Sequence, residues 1–499
     1  MLSIRSLTLR STFLAPALAL AASFASAPAQ AGPVSRELPG TIAGELGGQM
    51  IAHINSDTPD AIKLWASSVL SPSVDSAMRE AFLTQLAVAA RDSGGVDFVD
   101  ARTQGPPGML VVTIKGRRTG QLAALVLFPD PEQSGKLGMV DLVPIDDPAL
   151  YSNWPDSGAS RAEIAQLASA ALDTLARTTE FSGCLAISDG TTTLFDECRG
   201  FADRTFGIEA DQQTKFHVGS MNKMFTAVAI AQLVEAGKLG WDMTLDKVVP
   251  EYPDREAAAK ITVWQLLHHT AGLGDFFVPE FFQSREKFVE PVDYLELIAS
   301  QPMLFEPGAD WSYSNAGYIL LGRIVENISG ESYFDYLDRH LFAPAGMTSS
   351  GFDSLEDVTP DLATGYFREG VFATEWKANW MTLPFKGSPA GGGYSTNSDL
   401  LKFASALHSG RLVGEATLRK MFEDGVLMGP GKYTAGFGER PSNGRTIRGH
   451  AGGAPGMSAN LAIVWETGAA VSITSNQGDT PTAMLLSERI ADLLTAVQE

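Results

Sequence analysis

One helix-length apolar run constrains this chain more than any other feature, because it holds a lysine. "FHVGSMNKMFTA" (Phe216–Ala227) sets Lys223 among Met221, Met224 and Phe225 in what reads as a buried helix, closed by Gly237. An unpaired ammonium in apolar surroundings is costly, so such a lysine is mobile, paired or chemically employed. Ser220 stands one turn earlier on the same helical face. A fold for this chain must bury that helix and account for the hydroxyl–amine pair on it.

The 499 residues suit two folded units and a targeting segment. Arg5 and Arg10, the apolar run "STFLAPALALAASFA" and the small residues Ala29–Ala31 read as a signal peptide over 1–31, cleaved before Gly32. A periplasmic or secreted protein is expected. No later segment is apolar for long enough to span a bilayer, so no stable membrane insertion is expected after cleavage. A net charge of −21 argues against nucleic acid as a partner.

Residues 32–150 read as a small α+β accessory domain. Helical patterns near 41–54, 58–69 and 73–91, the last with Met78, Phe82, Leu86 and Val88 spaced for one face, precede four strand-like runs. This order resembles the nuclear-transport-factor-like domains. "IDDPALYSNWPDSGAS" is rich in Pro, Asp and Ser, and a linker is placed at 151–164. From 165 to 499 a helix and a hairpin lead to a mostly helical middle, then strands and a closing helix. That order describes one domain whose antiparallel sheet gathers both ends of the segment. Cys184 and Cys198 flank Asp189-Gly190, a strong hairpin signal. A two-residue turn there sets Cys184 opposite Phe195 and Cys198 on the other face, so the register argues against a disulfide.

Three short patterns carry chemistry. Ser220-x-x-Lys223 puts a weak nucleophile beside an amine that desolvation can hold neutral, at a helix start with free N–H groups. Tyr313-Ser314-Asn315 offers a phenol that can relay a proton and an amide that can hold a carbonyl or the lysine. His450-Ala451-Gly452 follows a strand in a glycine-rich segment where backbone can approach a ligand. Each has a decoy: Ser284/Lys287 in a charged stretch, Tyr151/Asn153 in the linker and His408/Gly410 at a helix end.

In this order the three patterns resemble the serine β-lactamase and penicillin-binding protein superfamily, closest to its class C-like branch of esterases and D-aminopeptidases. "LLHHTAGL", "FEPGADWSYSNAGY", "FAPAGM" and "GGGYSTNSDLLKFA" support the resemblance, which covers roughly 165–495. It implies an α+β domain with an antiparallel sheet flanked by helices plus a helical subdomain. It implies catalytic roles for Ser220, acylated, and for Lys223 and Tyr313 as the proton-transfer pair. Asn315 and His450 would position substrate, and the backbone N–H groups of Ser220 and Gly453 would form the oxyanion hole. Which of Lys223 and Tyr313 is the base stays open.

One departure bears on substrate. The β-lactam-hydrolysing and cell-wall branches carry Lys-Thr-Gly where this chain has His450-Ala451-Gly452, and a largely neutral histidine weakens carboxylate recognition. Ester hydrolysis is therefore expected first, with D-amino-acid peptidase or β-lactamase action on amides as the alternative. A catalytically silent penicillin-binding-like protein is the rival from another class. His269 in "LLHHTAGL" reads as holding a loop. Phe276, Phe277, Phe281 and Phe282 fit an acyl pocket, a lid or core packing. No His-Glu-x-x-His, cysteine cluster or phosphate-binding glycine loop occurs, so no metal or other cofactor is expected.

Overall fold

The structure is a computed structural model and describes residues 34–104, 107–478 and 482–497. The signal-peptide reading of 1–31 lies outside the described residues. The chain divides into two compact units, one running to Asp147 and including Arg368–Lys377, the other comprising Pro148–Phe367 and Ala378–Glu499.

In the first unit, α1 (Ile42–Ser56), α2 (Pro59–Val69) and α3 (Ser76–Asp92) begin where the sequence supplies caps: the side chains of Thr41, Thr58 and Asp75 accept backbone N–H groups of the first turns. Strands β1 (Val96–Thr103), β2 (Leu110–Gly116), β3 (Leu122–Pro129) and β4 (Leu137–Ile145) follow as an antiparallel sheet in chain order. Met50, Ile54, Phe82 and Leu86 pack on Val112, Ile114, Leu125 and Leu127. Met78, expected on the buried face of α3, is exposed; that face runs through Phe82, Leu86 and Ala89 instead.

A single linker near 151–164 does not describe the division, because residues 368–377 return to the first unit. Val371 and Phe372 are buried in its core, and the Val371 N–H donates to Gln85 Oε1 at 3.2 Å. Gly116 leaves a gap that the Phe372 ring occupies; a Cβ at 116 would stand 2.8 Å from it. Removing a buried phenyl ring costs about 3–5 kcal/mol. Phe372→Ala is expected to destabilise the first unit by that amount in denaturant unfolding, and a loss below about 1 kcal/mol would show this ring to be incidental to its core.

The second unit opens with α4 (Arg161–Thr179), started by a Ser160–Glu163 capping box. Its other long elements are β5 (Gly183–Ser188), β6 (Thr193–Arg199), α5 (Asn222–Glu235), α6 (Asn315–Ser329), α7 (Asn397–His408), β7 (Val426–Met428), β8 (Gly431–Tyr433), β9 (Gly438–Ser442), β10 (Arg445–Ala454), β11 (Met457–Val464), β12 (Ala470–Ser475) and α8 (Thr482–Thr495). The sheet is antiparallel with eight strands in the order β7-β8-β9-β10-β11-β12-β5-β6, so both ends of the segment meet at the β12–β5 pair. Along β11 the side chains alternate: Ala462 and Val464 join the core under α4 and α8, while Leu461 and Ile463 join the core around α5. Helix α5 is buried on every face from Met224 to Ala231. Among the described residues no helix is long and apolar enough to cross a membrane.

Contrary to the sequence expectation, Cys184 and Cys198 form a disulfide. The turn is not a two-residue Asp-Gly turn. Asp189 Oδ1 accepts the N–H groups of Thr191 and Thr192, which opens the loop to Asp189–Thr192. A bulge then falls between the Ser188↔Thr193 and Ile187↔Phe195 pairs. The combined shift sets Cys184 directly opposite Cys198.

Candidate active site

Ser220 lies in a single 3-10 turn, Gly219–Met221, that leads into α5. Gly219 adopts φ +52°, a conformation that suits glycine. Lys223 follows one turn on, fully buried, with Nζ 3.4 Å from Ser220 Oγ. Nζ also donates to Asn315 Oδ1 at 2.8 Å and to the Ala390 carbonyl at 2.6 Å. The rings of Tyr313 and Tyr318 lie 4.7 and 5.4 Å from it, centroid to nitrogen. Burial pulls the Lys223 ammonium down to about 7, against an upward pull from the Asp275 carboxylate.

Tyr313 and Asn315 reach this amine because Ser314, between them, caps α6: its Oγ accepts the Gly317 N–H at 3.0 Å. The cap turns Asn315 inward at the first helical position and leaves Tyr313 on the preceding loop. His269 holds that loop from both sides. Its carbonyl accepts the Ser312 N–H and its Nδ1 accepts the Ser314 N–H, each at 3.0 Å. Its ring packs on Tyr313 at 4.4 Å between centroids, and burial drives its pKa well below the usual range, so it stays neutral. The loop-holding expectation for His269 matches this geometry. Burial also raises the Tyr313 phenol, opposed by its interaction with the Ser220 hydroxyl.

His450 enters from the sheet. It pairs with Leu461, whose side chain faces α5, and cross-strand neighbours share a face. Its Nδ1 bonds the Ala451 carbonyl, which assigns the proton to Nδ1 and leaves Nε2 to accept the Tyr433 hydroxyl at 3.2 Å. Burial, and then the nearby Lys223, bring His450 down to about 4. The glycines after it let β10 lie against the Ser220 turn. A Cβ at Gly452 would collide with the Val218 carbonyl oxygen and stand 3.0 Å from Ser220 N, and one at Gly219 would stand 2.9 Å from Gly453 N. The Ser220 turn and the Gly452–Gly453 strand thus lie in close backbone contact, and Gly391 lies against the same turn.

All six sequence-derived site residues meet here, and two neighbours had no sequence signal. Asp275 accepts the Asn315 amide N–H at 3.1 Å, and Tyr433 packs on His269 as well as bonding His450. Both are single residues far along the chain from the three patterns. The decoys lie elsewhere; Lys287, for instance, is exposed. Of the four phenylalanines, Phe276 and Phe281 are buried in the main core and Phe277 and Phe282 pack partly buried against it, so core packing prevails over a lid.

Comparison with known proteins gives the same picture. The family described as Beta-lactamase matches residues 168–495. The chain belongs to the β-lactamase family. Penicillin-binding protein 4* of Bacillus subtilis (strain 168) is 29% identical over 307 residues, 58% of this chain and 66% of that one. Esterase EstB of Burkholderia gladioli is 31% identical over 176 residues, 33% of this chain and 45% of that one. The solved structure of D-amino acid amidase from Ochrobactrum anthropi SV3 superposes with a TM-score of 0.56 at 25% identity, covering 67% of this chain and 97% of the amidase. This β-lactamase-family chain thus spans less than two thirds of the length of either curated relative.

Proposed function

We propose that this chain is an exported serine hydrolase that cleaves small uncharged esters through an acyl-enzyme on Ser220. The observation that carries the reading is a buried amine, held near pKa 7, 3.4 Å from a hydroxyl at a helix start. Lys223, directly or through Tyr313, takes the Ser220 proton as Oγ attacks the substrate carbonyl carbon. The resulting oxyanion is held by the N–H groups of Ser220 and Gly453. Collapse breaks the bond to the alcohol, which leaves with the proton, and water then cleaves the acyl-enzyme by the same route.

The ester preference rests on charge. At neutral pH His450 is uncharged and both its ring nitrogens are engaged, so it offers a substrate carboxylate no cation. The similarity to EstB supports this reading, and the likeness to D-amino acid amidase favours amides as the second reading. Wild type is expected to show higher kcat/KM on an aryl acetate than on a chromogenic cephalosporin. His450→Lys is expected to shift the ratio toward the cephalosporin by about 5- to 150-fold, the worth of a charge-assisted hydrogen bond. A wild type that favours the cephalosporin overturns the ester reading. For export, the sequence of residues 1–31 and the Cys184–Cys198 disulfide support an oxidising compartment. Exported protein that still begins at Met1 would refute signal cleavage.

A further inference from the structure

We infer that Asp275 is a positioning residue of this site, holding the Lys223 amine against Ser220 through the Asn315 amide. The inference rests on the acyl-enzyme reading above. The atoms form one chain: Asp275 Oδ2 accepts from Asn315 Nδ2 at 3.1 Å, and Asn315 Oδ1 accepts from Lys223 Nζ at 2.8 Å. Nζ in turn lies 3.4 Å from Ser220 Oγ.

The carboxylate decides which way the amide points. A carboxylate only accepts hydrogen bonds, so the Asn315 NH2 must face Asp275 and its oxygen must face Lys223. With the amide reversed, two sets of donors would face each other across Nζ. Asp275 is itself held in orientation. Its Oδ1 accepts the Phe277 N–H at 3.2 Å, which leaves Oδ2 for Asn315. The loop that carries it fits closely on its neighbours: a Cβ at Gly274 would stand 2.9 Å from the Pro302 carbonyl oxygen, and one at Gly272, at φ +76°, 3.1 Å from the Phe305 carbonyl carbon. Asp275 is solvent-accessible, yet enough protein surrounds it that lost hydration raises its carboxyl above the ordinary value.

The charge has a second consequence. The groups around Nζ are Ser220 on its own helix, Asn315 and Tyr318 on α6, Tyr313 on the preceding loop, His269 and Asp275 on the 269–275 loop, Tyr433 and His450 on the sheet, and the Ala390 carbonyl. The two histidines are neutral, and burial raises the tyrosine phenols so that they are neutral as well. Among these, Asp275 alone is negative, and it raises the lysine against the effect of burial. If Lys223 must be neutral to accept the serine proton, kcat/KM falls on the acid side as the amine protonates, near pH 7 in the wild type. Removing the Asp275 charge lets burial act unopposed, and that acid limb moves to lower pH.

The test compares wild type, Asp275→Asn and Asp275→Glu between pH 5 and 9, by steady-state hydrolysis of an aryl acetate and by the rate of fluorophosphonate labelling. Asp275→Asn is expected to move the acid limb down by about 0.5–1 pH unit, as loss of a nearby opposite charge does. It is also expected to lower the plateau kcat about 10-fold or more, with KM changed less than about 3-fold, as misplacement of a reacting group does. Asp275→Glu keeps the charge and should return the limb to its wild-type position. An unmoved limb and plateau in Asp275→Asn overturn the inference, and so does a change confined to KM, which would make Asp275 a substrate-binding residue. A wild type that fluorophosphonate does not label at all would instead overturn the acyl-enzyme reading itself.

Discussion

Ser220→Ala is expected to abolish hydrolysis of every ester the wild type turns over, lowering kcat by at least about 10⁴-fold, and to end labelling by fluorophosphonate. The size follows from the geometry: the Lys223 amine lies against the Ser220 hydroxyl, and the Gly452–Gly453 strand lies against the backbone of the same turn. The fold should be spared. Ser220 is half-buried, and Lys223 keeps its bonds to Asn315 and the Ala390 carbonyl when the hydroxyl goes. The melting temperature is therefore expected to stay within about 1 °C, below the roughly 2–4 °C that 1 kcal/mol brings in a domain of about 150–250 residues. The same experiment separates the two classes of reading. Labelled wild type and inert Ser220→Ala fit an acyl-transfer enzyme. A wild type that binds penicillin reversibly but is neither acylated nor active on esters would be a silent binding protein. Full activity in Ser220→Ala would overturn the mechanism.

The parts of this molecule that are legible in its sequence are those set by local rules. In the first unit, apolar periodicity places three helices near their observed limits and four strands after them, because each signal acts within a turn or a strand. The Ser220–Lys223 pair is legible for the same reason, since one helical turn brings the two side chains together. What was not legible depends on particular side-chain contacts that no apolar period or motif spacing encodes. The disulfide needed the loop opened by the Asp189 carboxylate and a bulge two residues later, and the hydrophobic pattern encodes neither. Residues 368–377 look like an ordinary connection, and only the gap over Gly116 reveals why Phe372 is buried in the first unit. Asp275 and Tyr433 have no spacing that ties them to the motifs they serve. Each reaches its partner across more than ten residues of intervening chain, Asp275 on Asn315 and Tyr433 on His450 and His269.

Gly452→Ala is expected to reduce kcat/KM by about 100-fold, although alanine brings only one methyl group. Gly452 is the last residue of the His-x-Gly pattern, and its role is the absence of a side chain. A Cβ there would collide with the Val218 carbonyl oxygen, standing 2.8 Å from the Val218 carbonyl carbon and 3.0 Å from Ser220 N. All three are backbone atoms, so no side-chain rotation relieves the contact and β10 must move away from the Ser220 turn. Displacement of a reacting group by about 1 Å costs on the order of 100-fold in rate. Here the displaced groups are the Ser220 and Gly453 N–H donors and His450, all carried by the two segments forced apart. Stability should fall more gently, by about 1–3 kcal/mol, the usual cost of overpacking. Gly438 on the adjacent strand provides the control: a Cβ there meets its nearest neighbour, the Gly449 carbonyl oxygen, at 3.7 Å, an ordinary contact. Gly438→Ala should therefore keep wild-type kinetics. Measuring kcat/KM on an aryl acetate beside denaturant unfolding for both variants decides the matter. Wild-type kinetics in a folded Gly452→Ala would mean that the strand does not need to approach the serine, and the assignment of Gly453 to the oxyanion hole would fall with it.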